Sequence, residues 1–277
     1  MSGRTGAVAG ARRRLLAVAA LSALFPGIAL SQGRGLASWP GGGFRLLPGN
    51  PVFAGGAVAE PGFGLVHVLL SRWRPLEQGY ALVEQYLAGR GRPMQALCGM
   101  QLRLPRQLDP DAFTAFNGPY VARLAQWGVL RDRVNPVSRT NVAPAAAAPE
   151  EACLHAFTYS EPYDGPMRTF TMSGMTERGP SGAIAAEGDA SPAGMQRKLD
   201  YLAGVVTDRI AELGFGWKDA THVELYSGAD IPGALATLAR RAEKAAPRGV
   251  RWHHGRPPVT GLEVELEARA VLREEVA

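Results

Sequence analysis

The sequence predicts an α+β fold of two tandem halves, each a mainly antiparallel sheet with two helices on one face. Two observations predict it. Residues 260–271, TGLEVELEARAV, alternate strictly, placing Glu263, Glu265, Glu267 and Arg269 on one strand face and Val264, Leu266, Ala268 and Ala270 on the other. One order of strands and helices also runs twice, over roughly 50–160 and 168–272, so an internal duplication explains the chain better than one continuous domain.

Taken in order, residues 31–51 are rich in Gly and Pro and read as a loose lead-in. Residues 51–59 form a short strand broken by Gly55-Gly56, and 65–73, LVHVLLSRW, a second. A helix follows over 75–88, where Leu76, Tyr80, Val83 and Leu87 recur at helical spacing and Pro75 suits a first turn. Residues 96–104 are a strand and 105–110 a turn. Asp109 is placed to cap a second helix over 110–127, with Phe113, Phe116, Tyr120 and Leu124 along one side. Residues 135–142, NPVSRTNV, and 151–159 are strands on either side of an Ala- and Pro-rich loop.

The order then repeats. Residues 168–174, RTFTMSG, are a strand running into a Gly turn, and 179–192 a loop. The strongest helix spans 195–213, with Met195, Leu199, Leu202, Val206, Ile210 and Leu213 on one face and Gly214 as its stop. A strand over 221–226, a helix over 231–246, a short strand over 250–254 and the alternating strand complete the second copy. The division that results is 1–31 as a leader, 44–160 as the first domain and 167–273 as the second.

The chain has 277 residues, 46% hydrophobic and 20% charged, the composition of a globular protein with a core to bury. Its net charge of +5 is unevenly placed. Residues 1–31 carry Arg4, Arg12, Arg13 and Arg14 and no acid, which leaves 26 basic against 25 acidic residues in the rest. The body therefore has no electrostatic case for nucleic acid or anionic lipid. Arg12-Arg13-Arg14 before an apolar run, then Ala29-Leu30-Ser31, reads as a signal peptide with a mature start near Gln32, and so a periplasmic or secreted protein. A cytoplasmic protein with a misassigned start is the alternative. The apolar run, interrupted by Pro26-Gly27, is short for a spanning helix, which needs about 20 residues.

Two cysteines, Cys98 and Cys153, rule out a disulfide scaffold and a Cys-x-x-Cys zinc site. Both sit in apolar strands and read as buried thiols, a single bridge between them being the other possibility. No metal and no cofactor is called for. His67, alone in an apolar strand, reads as a core residue, and His155 as a core or interface one. His253 and His254 are adjacent on a strand and point to opposite faces, so the pair does not readily chelate one ion. The acidic row is either a solvated edge, the usual fate of charged residues, or a lining that handles protons, ions or water.

Some of these residues carry a resemblance. Ser173-Gly174, the helix that ends at Gly214, Glu265 within VELEA, Asp111-Ala112-Phe113 leading to Asn117 and Tyr120, and Arg139 in PVSRTNV stand in the order and spacing of the Rid (reactive intermediate deaminase, YjgF-like) family. The resemblance covers both halves and implies two tandem chorismate-mutase-like domains. Such proteins are ordinarily trimers of single domains with the site in a cleft between subunits, so a trimer-based homo-oligomer is implied. By resemblance Arg139 matches the arginine that pairs with a substrate carboxylate, and Glu265 the glutamate that positions an attacking water. A guanidinium can hold a carboxylate bidentately, and a carboxylate beside water can act as general base.

The departures from the family pattern are informative. In the first half the glutamate's position falls on or beside Cys153, which has no carboxylate. In the second the arginine would be Arg251, but RWHHGRPPV lacks the family's Pro-x-Arg pattern, and Arg256 or Arg248 could serve. One copy keeps the arginine and the other the glutamate, which a single composite site would explain. Ser173 and Gly174 either present N–H and hydroxyl groups to a ligand or merely turn the chain. Asn117 and Tyr120 either line the site or pack helix on loop. The resulting expectation is hydrolytic deamination of a carboxylate-bearing enamine or imine, 2-aminoacrylate-like or 2-aminomuconate-like, the tandem architecture leaning to the second. A non-catalytic Rid-like oligomer that binds a small acid, and a chorismatase-like hydrolase, are the competing readings.

Overall fold

The computed structural model describes residues 35–229 and 249–277, with Ile231, Gly233, Ala236, Leu238 and Ala239 between them. The leader at 1–31 and most of the helix expected over 231–246 lie outside the described residues.

The lead-in corrects the sequence reading. Residues 35–51 are not loose: β1 (Ala37–Trp39), β2 (Phe44–Leu47) and β3 (Gly56–Ala59) form an antiparallel meander. The Gly content that suggested a loop makes the β1–β2 turn, where Gly41 and Gly43 hold φ of 79° and 72°, a region open mainly to glycine. Trp39, Phe44 and Leu46 are buried with Ala57, Leu65, Cys98 and Val271, a small core that closes one end of the molecule.

The first half is β4 (Phe63–Pro75), α1 (Leu76–Gly89), β5 (Leu97–Arg103), α2 (Pro110–Gln126), β6 (Ser138–Pro144) and β7 (Cys153–Pro162). The Asp109 carboxylate accepts from Ala112 N–H at 2.8 Å, so α2 begins where its cap was expected. Strand β7 lies antiparallel between β4 and β5, and β6 runs parallel to β5, giving the order β4-β7-β5-β6.

The second half is β8 (Phe170–Met172), β9 (Met175–Thr176), α3 (Pro192–Glu212), β10 (His222–Ser227), β11 (Arg251–Arg256) and β12 (Val264–Ala270), followed by β13 (Arg273–Val276). Its order, β8-β12-β10-β11, with β10 and β11 parallel, repeats that of the first half strand for strand. The halves join edge to edge where Gly255 and Arg256 of β11 pair with Pro144 and Ala143 of β6. The chain ends cross over: β3 pairs with β8 of the second half, and β13 runs parallel to β4 of the first.

Each half packs its own apolar core between sheet and helices. Leu199, Leu202, Val206, Ile210 and Leu213 line the face of α3 turned to Val223, Leu225, Leu266 and Ala268. Burying each such side chain contributes about 1.5–3 kcal/mol. Tyr80, Val83, Leu87, Tyr120 and Leu124 do the same over Met100, Leu102, Leu154 and Phe157. The other faces of the two sheets meet each other, and that layer is polar. Glu265, Glu267 and Arg269 are only 3%, 4% and 2% exposed, so the alternating face is no solvated edge. Strand β12 is central in its sheet, flanked by β8, β9 and β10, and its charged face is covered by the other half.

Candidate active site

Strand β6 pairs with β11 only at Ala143 and Pro144, which leaves the stretch before them without a strand partner on that edge. The turn between β8 and β9 takes the place. Arg139 N–H donates to Ser173 Oγ at 2.9 Å, Gly174 N–H donates to Arg139 O at 3.3 Å and to Thr140 Oγ1 at 3.0 Å, and Ser173 Oγ–H donates to Ala54 O at 2.6 Å. The Ser-Gly pair of the second half is thereby clamped to the arginine strand of the first.

Arg139 itself is 4% exposed. It leaves β6 toward the helices, beside Met100, with its guanidinium 4.6 Å from the centre of the Tyr120 ring and Phe53 and Phe113 farther out. Its Nη2 donates to Asn117 Oδ1 at 2.7 Å, and with the Asn141 amide oxygen turned toward it, Nε and Nη2 both donate there at 3.2 Å. Nη1 has no partner. Burial lowers the pKa of this arginine and pushes the Tyr120 phenol up to about 12. Among the described residues no carboxylate pairs with the guanidinium, so it is held in place by amides and aromatic rings with one edge left over.

Glu265 lies on the other side of the Ser-Gly turn. Its carboxylate is buried, and its Oε2 has no hydrogen-bond partner. Gly174 lies so close that a methyl group there would collide with Oε1, while Thr140 Cγ2 closes the same gap. Burial, then the neighbouring Glu267, hold the Glu265 carboxyl well above the usual carboxylate range, and Arg103 and Arg139 act against them. Arg139 and Glu265 thus feel each other's charge with no ion pair within 4 Å between them.

A polar network fills the space between the sheets. Arg269 bridges Glu267 at 2.8 Å, Glu224 at 2.6 Å and Glu274 at 3.1 Å. Glu267 also accepts from Gln101 and Thr140, and burial beside Glu224 pushes its pKa up to about 7. Tyr226 O–H donates to Glu224 at 2.6 Å. A narrow cavity runs among His67, Gln101, Ser138, Arg139, Thr140, Glu267 and Arg269. Among the described residues, no three His, Cys, Asp or Glu side chains could hold a metal ion.

Of the sequence candidates, Arg139, Asn117, Tyr120, Ser173, Gly174 and Glu265 come together. Arg251 does not. Its half-exposed side chain pairs with Glu274 at 3.3 Å and Glu224 at 3.7 Å, because β11 begins at the rim of the sheet. Arg256 is taken by Glu263 at 3.1 Å, and Arg248 lies outside the described residues. His253 stacks on Tyr226, while His254 faces Gly228 O. His67 is a core residue, bonded to Thr158 at 2.9 Å, and Cys98 and Cys153 are free buried thiols. The register opposes Cys153 to Arg103 where the second half opposes Glu265 to Tyr226, so the Cys153 side is the carboxylate-free counterpart.

Sequence reasoning missed two features. Arg103, 4% exposed on β5, faces the polar layer and acts on Glu265 more strongly than Arg139 does. Glu177 and Lys198, 0% and 1% exposed, pair at 3.4 Å, and the Glu177 carboxylate accepts from Glu263 and Val264 N–H at 2.6 and 3.3 Å. That pair fixes the start of β12, one residue before Glu265. Lys198 stands among the apolar positions of α3, and a lysine on such a face was the available signal.

The chain is 37% identical over 243 residues to a 2-amino-5-chloromuconate deaminase of Comamonas testosteroni, covering 85% of this chain and 96% of that one. A chorismatase crystal structure superposes with a TM-score of 0.45 at 16% identity, over 78% of this chain and 77% of that one. The YjgF gene product of E. coli does so with a TM-score of 0.29 at 18% identity, over 47% of this chain and 94% of that one. The model of one family, described as 2-aminomuconate deaminase CnbZ, matches residues 36–275. A match of that extent, with a relative so similar over nearly its whole length, places the chain among enzymes: it belongs to the CnbZ 2-aminomuconate deaminase family.

Proposed function

We propose that this protein hydrolytically deaminates a 2-aminomuconate-like acid in its imine form, at one composite site per chain. The observation that carries the reading is the pair Arg139 and Glu265, one from each half, each buried and each with an unpartnered atom, on either side of Ser173-Gly174. Arg139 Nη1 is the free donor for the carboxylate next to the imine carbon. Glu265 takes a proton from water as its oxygen bonds to that carbon, giving a carbinolamine. The same carboxyl gives that proton to the nitrogen, then takes the hydroxyl proton of the carbinolamine and passes it to the nitrogen as the C=O bond forms and the C–N bond breaks, so that ammonia and a 2-oxo acid leave. A carboxyl held above its usual range suits a group that both takes and gives a proton in the reaction.

The test is ammonia release from 2-aminomuconate formed in situ. The wild type should accelerate it and Glu265→Gln should not. Equal rates for the two proteins would end the proposal, and binding without turnover would favour a small-acid-binding role instead.

A further inference from the structure

We infer that Arg103 receives a second carboxylate, which makes the site between the halves specific for a diacid; the inference rests on the reading of Arg139 and Glu265 given above. Arg103 is 96% buried, yet among the described residues it forms no ion pair. Its one hydrogen bond is from Nη1 to the carbonyl of its own neighbour, Leu102, at 3.1 Å. An unpaired guanidinium in such a place is unfavourable unless something anionic completes it.

The nearby acids do not complete it. Glu267 is held by Arg269, Gln101 and Thr140, and Glu224 by Arg269 and Tyr226. Glu265 has no cation within 4 Å, although Arg103 acts on it. The guanidinium lies 5.5 Å from the centre of the Tyr226 ring, and Tyr226 is the residue directly opposite Glu265 on the neighbouring strand. Arg103 and Glu265 therefore flank one aromatic ring with no ion pair between them. The histidines in reach, His155 and His253, are driven toward their neutral forms by burial and add no further positive charge there.

Arg139 stands beside Met100, three residues before Arg103 on the adjacent parallel strand. At ~3.3 Å per residue and ~4.8 Å between strands, their Cα atoms are about 11 Å apart. They leave opposite faces of the sheet at the stretch of β6 edge where Ser173-Gly174 and Glu265 are seated. Two guanidiniums without carboxylates thus bracket one unpaired glutamate. A diacid neutralises both, whereas a monoacid leaves one buried and bare.

Muconate and sorbate, six-carbon dienes with two carboxylates and one, measure this without turnover. Titrated calorimetrically, the wild type should prefer muconate by about 10- to 100-fold, the worth of one charge-assisted contact. Arg103→Gln should bind sorbate as the wild type does and lose the preference, and Arg103→Lys should keep part of it. Because the replaced cation is unpaired, the melting temperature of Arg103→Gln should not fall, which separates loss of the subsite from loss of the fold. No preference in the wild type, a preference that survives Arg103→Gln, or equal losses for both acids would each overturn the inference. Arg139→Met should weaken both acids. Should ammonia be released from 2-aminomuconate while Arg103→Gln performs as the wild type, the diacid subsite falls and the deaminase stands. Should the muconate preference depend on Arg103 with no ammonia released, the subsite stands and the deaminase falls.

Discussion

Gly174 and Glu265, both of the second half, meet beside the arginine strand of the first with no space for a methyl group between them. Gly174 is not in the left-handed region, and the atoms that oppose a substituent there belong to two side chains, chiefly the Glu265 carboxylate at the free end of a flexible chain and then the Thr140 methyl group. Gly174→Ala should fold, melting within a few degrees of the wild type, since surface-like substitutions without strain stay near 0.5 kcal/mol. It should nevertheless lose about 10- to 100-fold in kcat, because a displacement of about 1 Å at a reacting group has that effect. Ammonia release and a melting curve on the same preparation check both halves of the prediction.

Glu265→Gln keeps the shape and removes the charge. Loss of a general base should lower kcat about 10²–10⁴-fold. Since the carboxyl is buried and its pKa raised, its base form is reached only above the usual carboxylate range, so kcat/KM should rise with pH through a midpoint above 4.5. That limb should be missing from the residual activity of the variant.

Arg139→Lys should fail as a conservative change. The planar fork fits Asn117 and the Tyr120 face and leaves Nη1 free, a geometry an ammonium does not reproduce. An increase of about 30-fold or more in KM, with a smaller change in kcat, is expected for a lost carboxylate contact. Steady-state kinetics with a single diacid substrate distinguishes the two.

Lys198 and Glu177 should show strong coupling. Glu177→Gln strands a buried ammonium and should destabilise the protein by about 3–5 kcal/mol. Adding Lys198→Met should recover much of that loss, a non-additivity that denaturant unfolding of the four proteins in the cycle measures.

Acid should destabilise the protein partly through His155. Trp73 Nε1–H donates to its Nδ1 at 3.0 Å, and burial holds its pKa at about 2. The unfolded chain binds a proton at this residue from about pH 6.5 downward and the folded chain does not, so stability falls as pH falls, by up to about 1.4 kcal/mol per unit. His155→Gln, which can still accept from Trp73, should show a shallower loss of melting temperature between pH 6.5 and pH 4.

Much of the strand and helix order was legible in the sequence because it rests on local periodicity. The stripe from Leu199 to Leu213 and the alternation in VELEARA each follow from one element's geometry, and α2 begins at its expected cap, whereas α3 starts three residues earlier than its stripe suggested, at Pro192. Strands β1 and β2 were not legible, since Gly and Pro between short apolar pieces read as loop, and these strands are held through β3, whose own partner β8 lies more than 100 residues later. Strand β13 was missed for the same reason: REEV has little pattern of its own and is a strand because β4 offers it an edge.

The sequence by itself determined two copies of one strand-helix order, the alternation that puts Glu265 and Glu267 on one face, and the identity of the groups able to bind an acid or move a proton. Only the tertiary structure decided that this charged face is interior, that Ser173-Gly174 seats against Arg139, that Arg251 is left at the rim, and that Arg103 is a buried cation without a partner. The reason is physical. Periodicity reports which side of a strand a residue occupies, whereas burial and charge pairing depend on what another strand, far along the chain, brings to that side.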